Sequence, residues 1–93
     1  MYRTDPNHGR IKQALQRVAR PVYDAARLGF GLSDLITRHI DGGIVFMEVK
    51  RDDVPPSGRK LTPAEEAFRA LWPDRYVVVL TEEDALRAVG IKC

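Results

Sequence analysis

The stretch Ile44-Val45-Phe46-Met47-Glu48-Val49-Lys50 constrains this chain more than any other. Side chains alternate along a strand, so Ile44, Phe46, Glu48 and Lys50 share one face while Val45, Met47 and Val49 share the other. Both faces begin apolar, the pattern of a central strand covered on both sides. Glu48 and Lys50 then sit at the end of a face expected to start inside the core. A chain of 93 residues has room for one such core and not for two, so a single domain over residues 1–93 is expected.

The other elements follow from local signals. Asn7 can cap a helix beginning near Gly9, in which Ile11, Ala14, Leu15, Val18 and Ala19 recur at three-and-four spacing until Pro21 stops it after Arg20. Val22-Tyr23-Asp24 reads as a short strand and Leu35–Ile40 as a second one. Between them, Gly29 and Gly31 mark a turn or a close backbone approach. Asp41-Gly42-Gly43 predicts a tight hairpin turn, because glycine supplies the positive φ such turns require. Arg51–Lys60, with Pro55-Pro56-Ser57-Gly58, reads as a loop. Thr62, Pro63 and Glu65 carry the signature of a capped helix start, and Pro73-Asp74 ends that helix after Trp72. Tyr76–Leu80 is an almost continuous apolar strand; Thr81 caps a last helix that opens Glu82-Glu83-Asp84 and closes at Gly90. The expected order is α-β-β-β-α-β-α, an α/β fold.

Hydrophobic residues make up 44% of the chain and charged residues 30%, the balance of a folded globular domain rather than a disordered or fibrous one. The single cysteine, Cys93, allows no intramolecular disulfide and no thiolate zinc site. No apolar run approaches the roughly 18 residues that span a bilayer, and the start is too polar for a signal peptide. A cytoplasmic location with no membrane partner is therefore expected. The net charge of +2 is unevenly spread, because residues 1–20 carry five basic side chains against Asp5 alone. A basic first helix on a slightly acidic body suits a polyanion such as nucleic acid, and equally a solvated helix face.

Asp34, Glu48 and Lys50 carry the chemistry. If the second and third strands form a hairpin, counting outward from the turn brings Asp34 close to Glu48, with Lys50 near the same end. Two adjacent carboxylates repel, and keeping both ionised in a half-buried pocket is costly unless a cation sits between them. Oxygen ligands of this type, completed by water and the Val49 carbonyl, suit Mg²⁺ or Mn²⁺. Lys50 would hold an attacking water and offset charge developing on a phosphate.

Gly31-Leu32-Ser33-Asp34-Leu35, then Phe46-Met47-Glu48-Val49-Lys50, then Lys60-Leu61-Thr62-Pro63-Ala64-Glu65 resembles the PD-(D/E)XK nuclease superfamily, within it the VRR-NUC type in its small stand-alone form found in phage genomes. The resemblance runs from about Asn7 to Gly90. It implies a restriction-endonuclease-like αβββαβ core, with a central mixed sheet flanked by helices and an added C-terminal helix. It further implies a metal-dependent endonuclease acting on branched or junction DNA, as a homodimer, in the cytoplasm of a bacterial host. On the family pattern Asp34 and Glu48 hold the metal, Lys50 assists the water, and Glu65 stands on the helix facing the site, where many members carry glutamine. Two departures are visible: Ser33 replaces the motif's leading proline, and no acidic residue lies between Pro6 and Pro21 to complete the site from the first helix. Asn7, His8, Gln13 or a water are the candidates for that place.

Each feature also has a plain structural reading. A same-face Glu and Lys on a strand can be a surface ion pair worth about 0–1 kcal/mol. Glu65 is the third residue after Thr62, where a glutamate reaches back to the cap's own N–H; capping and a site role are compatible. Asp52 and Asp53 are expected to be solvated, His8 and His39 to be ordinary polar residues, and Phe68 and Trp72 to be core. Arg10, Lys12, Arg17, Arg20, Arg27, Arg51, Arg59 and Lys60 would contact phosphates if they shared a face. Two rival functions remain: a catalytically inactive DNA-binding module on the same fold, and a small protein-interaction domain whose basic helix is only solvated.

Overall fold

The computed structural model describes residues 7–18, 21–25, 33–51 and 53–92. Among these residues, three α-helices and four strands follow the expected order: α1 (His8–Arg17), β1 (Tyr23–Asp24), β2 (Leu35–Arg38), β3 (Ile44–Val49), α2 (Pro63–Leu71), β4 (Tyr76–Val79) and α3 (Glu82–Ala88). The segment expected to be plain loop before α2 contains one 3-10 turn, Pro56–Arg59, started by proline. The strands form one mixed sheet in the order β1-β2-β3-β4, antiparallel from β1 to β3 and parallel between β3 and β4. β3 is thus an interior strand. Among the described residues no helix is long and apolar enough to cross a membrane.

Alternation sends Val45, Met47 and Val49 to one face, where they are buried with Leu35 and Val79 against Ile11 and Leu15 of α1 and Ala85 and Val89 of α3. Each such valine, leucine, isoleucine or methionine taken fully out of water contributes about 1.5–3 kcal/mol. The other face holds two rows set by register. Tyr23, Ile36, Phe46 and Tyr76 lie across all four strands. Two residues further along β3, Glu48 lies level with Val78.

On this second face α2 is laid over the β3–β4 half. Phe46 meets Phe68 edge-on at 5.0 Å and Trp72 at 5.1 Å, and Phe68 lies 5.7 Å from Tyr76. None of the residues of α2 is fully buried, and Trp72 stays 41% exposed, so Phe68 and Trp72 form a lid on the sheet rather than the core expected of them. Ile44 also departs from expectation. It is 43% exposed while Glu48 is 4% exposed, so this face deepens toward its polar end instead of starting in the core. Ile44 directly follows the hairpin loop, and the lid rings that cover Phe46 leave it open.

That loop is longer than a two-residue turn. β2 ends at Arg38, paired with Ile44, because the His39 N–H turns to the Gly43 carbonyl and the Ile40 N–H to the Val89 carbonyl. Gly42 takes φ +94°, the left-handed region that favours glycine, whereas a Cβ at Gly43 would only displace the flexible Arg75 guanidinium. The helix starts follow the sequence closely: Thr62 with Glu65 and Thr81 with Asp84 each form a reciprocal capping box. Gly90 ends α3 at φ +93°. Asn7 does not cap α1 through its side chain. Its amide instead donates to the carbonyls of Lys50 (2.9 Å) and Leu80 (2.6 Å), tying the helix to the ends of β3 and β4.

Candidate active site

The antiparallel register that pairs Leu35 with Met47 brings Asp34 opposite Glu48 one step further on. The Asp34 carboxylate accepts the Val49 N–H at 2.8 Å, and its carbonyl accepts the Ala25 N–H at 2.8 Å, so the residue is anchored from both sides. Ser33, where the family motif has proline, is fully buried and its hydroxyl donates to the Leu35 carbonyl at 3.0 Å. Glu48 Oε1 accepts the Tyr76 hydroxyl at 3.2 Å. Lys50 follows the last residue of β3, its N–H held by the Val79 carbonyl. Its Nζ lies 4.0 Å from Glu48 Oε2 and 2.9 Å from Glu65 Oε1. That same Glu65 oxygen accepts the Thr62 N–H at 2.8 Å, so one carboxylate both caps α2 and reaches the site.

The electrostatics follow from burial and crowding. Burial first, then hydrogen bonding and repulsion from Asp34 and Glu65, push the Glu48 carboxyl up to about 10. At neutral pH Glu48 therefore keeps its proton. Burial disfavours the Lys50 ammonium, but Glu65, Glu48 and Asp34 outweigh it and hold its pKa above the ordinary lysine value. Burial likewise opposes ionisation of Glu65, yet the Thr62 N–H and Lys50 together lower its pKa. The Tyr76 hydroxyl is raised, by burial and then by Glu48.

Among the described residues no three His, Cys, Asp or Glu side chains converge as a ready metal cage. Asp34 and Glu48 face one another, while Glu65 is turned to Lys50 and Thr62. This pair nevertheless fits a hard divalent ion completed by water, because a buried carboxyl that retains its proton beside a second carboxylate is one that such an ion would deprotonate.

One contributor was not singled out by sequence. Tyr76 reads there only as the start of an apolar strand, and its contact with Glu48 spans 28 residues. Asn7, read from sequence as a cap and as a candidate for the place of the first-helix acid, has its Oδ1 buried without a partner. His8 is buried and pairs with Asp24 at 3.0 Å, beside Lys12 at 3.5 Å. The basic side chains are dispersed. Arg10 and Arg17 ride on α1, across the sheet from α2; Arg51 is bidentate to Asp53 at 2.7 and 2.8 Å; Arg59 and Lys60 lie before α2. Asp53, expected to be solvated, thus has a charged partner although it is exposed. Arg20, Arg27, Gly29, Gly31, Asp52 and Cys93 lie outside the described residues. Set against protein-family models, curated proteins and solved structures, the chain matches none of them.

Proposed function

We propose that this chain is a Mg²⁺- or Mn²⁺-dependent DNA endonuclease of the PD-(D/E)XK superfamily, VRR-NUC type, with a restriction-endonuclease-like core. The observation that carries the reading is the Asp34–Glu48 pair across β2 and β3, with Glu48 buried and Lys50 at its side. Asp34 and Glu48, with the Val49 carbonyl, would hold the ion. When bound, such an ion lowers the pKa of water and neutralises phosphate charge. Tyr76 fixes one Glu48 oxygen and leaves the other toward Lys50. Lys50 positions the water and offsets charge developing on the phosphate. Glu65 keeps the Lys50 ammonium charged and aimed. Branched or junction DNA as substrate, a homodimer and a cytoplasmic setting belong to the same proposal.

The engagement of Lys50 by Glu65 at 2.9 Å favours a second reading, an inactive DNA-binding module on the same fold. Labelled duplex, single-stranded, flap and four-way-junction DNA incubated with Mg²⁺, Mn²⁺ or EDTA separates the two. Metal-dependent cuts that vanish in Lys50→Ala support the nuclease, whereas tight binding without cuts in any metal supports the module. Light scattering that gives a 10.5 kDa monomer with activity intact removes the dimer.

A further inference from the structure

Among the described residues, the face that carries Asp34 and Glu48 is only half covered. Phe68 and Trp72 lie over Phe46 and Tyr76, on β3 and β4, and leave the β1–β2 half open. There Tyr23 is 67% exposed, in the same row as Phe46. A groove of about 260 Å³ runs between Pro21, Tyr23, Ile36, Arg38, Gly42 and Ile44. It is smaller than the sites that hold drug-sized ligands, and suits one flat ring system.

We propose that this groove is a stacking platform for one unpaired base of a DNA strand, with Tyr23 as the ring surface and Arg38 as the phosphate contact. The proposal rests on the nuclease reading of the neighbouring carboxylates. An exposed aromatic ring bordered by apolar side chains and a guanidinium is complementary to a ligand with a π-face and a negative charge, and a nucleotide has both. Arg38 is available for that contact: its Nε donates to the Gly42 carbonyl at 3.4 Å, and among the described residues no carboxylate pairs with it. The position is also right. Tyr23 pairs with Ile36, two residues along β2 from Asp34, so one strand spacing of about 4.8 Å and a rise of about 7 Å separate platform and carboxylate. A strand with a phosphate at Asp34 and Glu48 lays an adjacent base on Tyr23, provided that base is not paired. This makes an unpaired nucleotide beside the cut the feature of branched DNA that the site reads.

The test is binding in EDTA at low salt, where cleavage is blocked. Short single-stranded and blunt duplex DNA are titrated by fluorescence anisotropy, and a strand carrying 2-aminopurine reports stacking by quenching. Tyr23→Ala is expected to lose about tenfold in single-strand affinity together with the quench, while Tyr23→Phe keeps both. Arg38→Ala should weaken single-strand binding and flatten its salt dependence. Duplex affinity should change less than about twofold in Tyr23→Ala. Unchanged single-strand affinity and quench in Tyr23→Ala, an equal loss on duplex, or no single-strand binding by the wild-type chain overturns the platform. So does sedimentation showing a dimer that Tyr23→Ala dissolves, because a second copy would then be the occupant. Metal-dependent cleavage alongside any of these leaves the nuclease reading standing, whereas Tyr23-dependent stacking with no cleavage in any metal overturns that reading instead.

Discussion

Strand β3 serves two unlike surfaces. Val45, Met47 and Val49 are closed over by α1 and α3, in an interior of mostly apolar side chains. On the opposite face Phe46 lies under an aromatic lid whose own helix has no fully buried residue, Ile44 stays open, and the deepest side chain is a carboxylic acid, Glu48. The first surface is built to exclude water and stabilise the fold. The second holds buried Glu48 beside half-buried Asp34, where the Tyr76 hydroxyl donates to one Glu48 oxygen and the Val49 N–H to one Asp34 oxygen. Stability and chemistry are thus carried on opposite sides of the same strand.

The sharpest way to break this division is to delete a side chain from each surface. Leu15→Ala, beneath the closed face, should cost about 2–5 kcal/mol in urea unfolding, with DNA cleavage per folded molecule unchanged. Phe68→Ala, in the half-buried lid, should cost less than that. A larger loss in Phe68→Ala than in Leu15→Ala would show that α2 is part of the core after all.

On the open face, Glu48→Gln should reduce metal-dependent cleavage at least about 100-fold, since a ligand matters no less than the neighbours that support it. The fold should persist, which circular dichroism would show. The same variant tests the electrostatics. Below about pH 4.5 Glu48 is protonated in folded and unfolded chains alike; above it only the unfolded chain releases the proton, until the folded value of about 10 is reached. The raised pKa therefore favours the fold at low pH, and that contribution is lost as pH rises across this window. In EDTA the unfolding midpoint of the wild-type chain should fall between about pH 5 and about pH 9, and Glu48→Gln should flatten the slope and be the more stable form at the upper end. An unchanged slope would mean that Glu48 is ionised without metal.

The smallest effect concerns the join between fold and site. Thr62→Ala removes the hydroxyl that caps α2 and should cost about 1 kcal/mol of stability. Because Glu65 also holds Lys50, cleavage should fall in this variant more than its stability alone explains. Equal behaviour of Thr62→Ala and wild type in cleavage would leave Glu65 as a cap only.

The features that were legible beforehand are local ones. Thr62 with Glu65 and Thr81 with Asp84 lie three residues apart, so their capping boxes depend on almost nothing else in the chain. The alternation in Ile44–Val49 made β3 interior, and the hairpin count brought Asp34 to Glu48 even though the loop between them is longer than expected. What could not be read is long-range. Asn7 reaches Leu80 across 73 residues, and Tyr76 reaches Glu48 only because a parallel crossover sets β4 beside β3. The exposure of Ile44 and Trp72 likewise depends on how far α2 extends over the sheet, and hydrophobicity alone carries no such information. Periodicity and capping determined which elements form and which residue types meet at the end of β3. Tertiary structure decided how deeply each face is covered, because burial depends on neighbours distant in the chain, and burial makes Glu48 an unusual acid and leaves Tyr23 open to solvent.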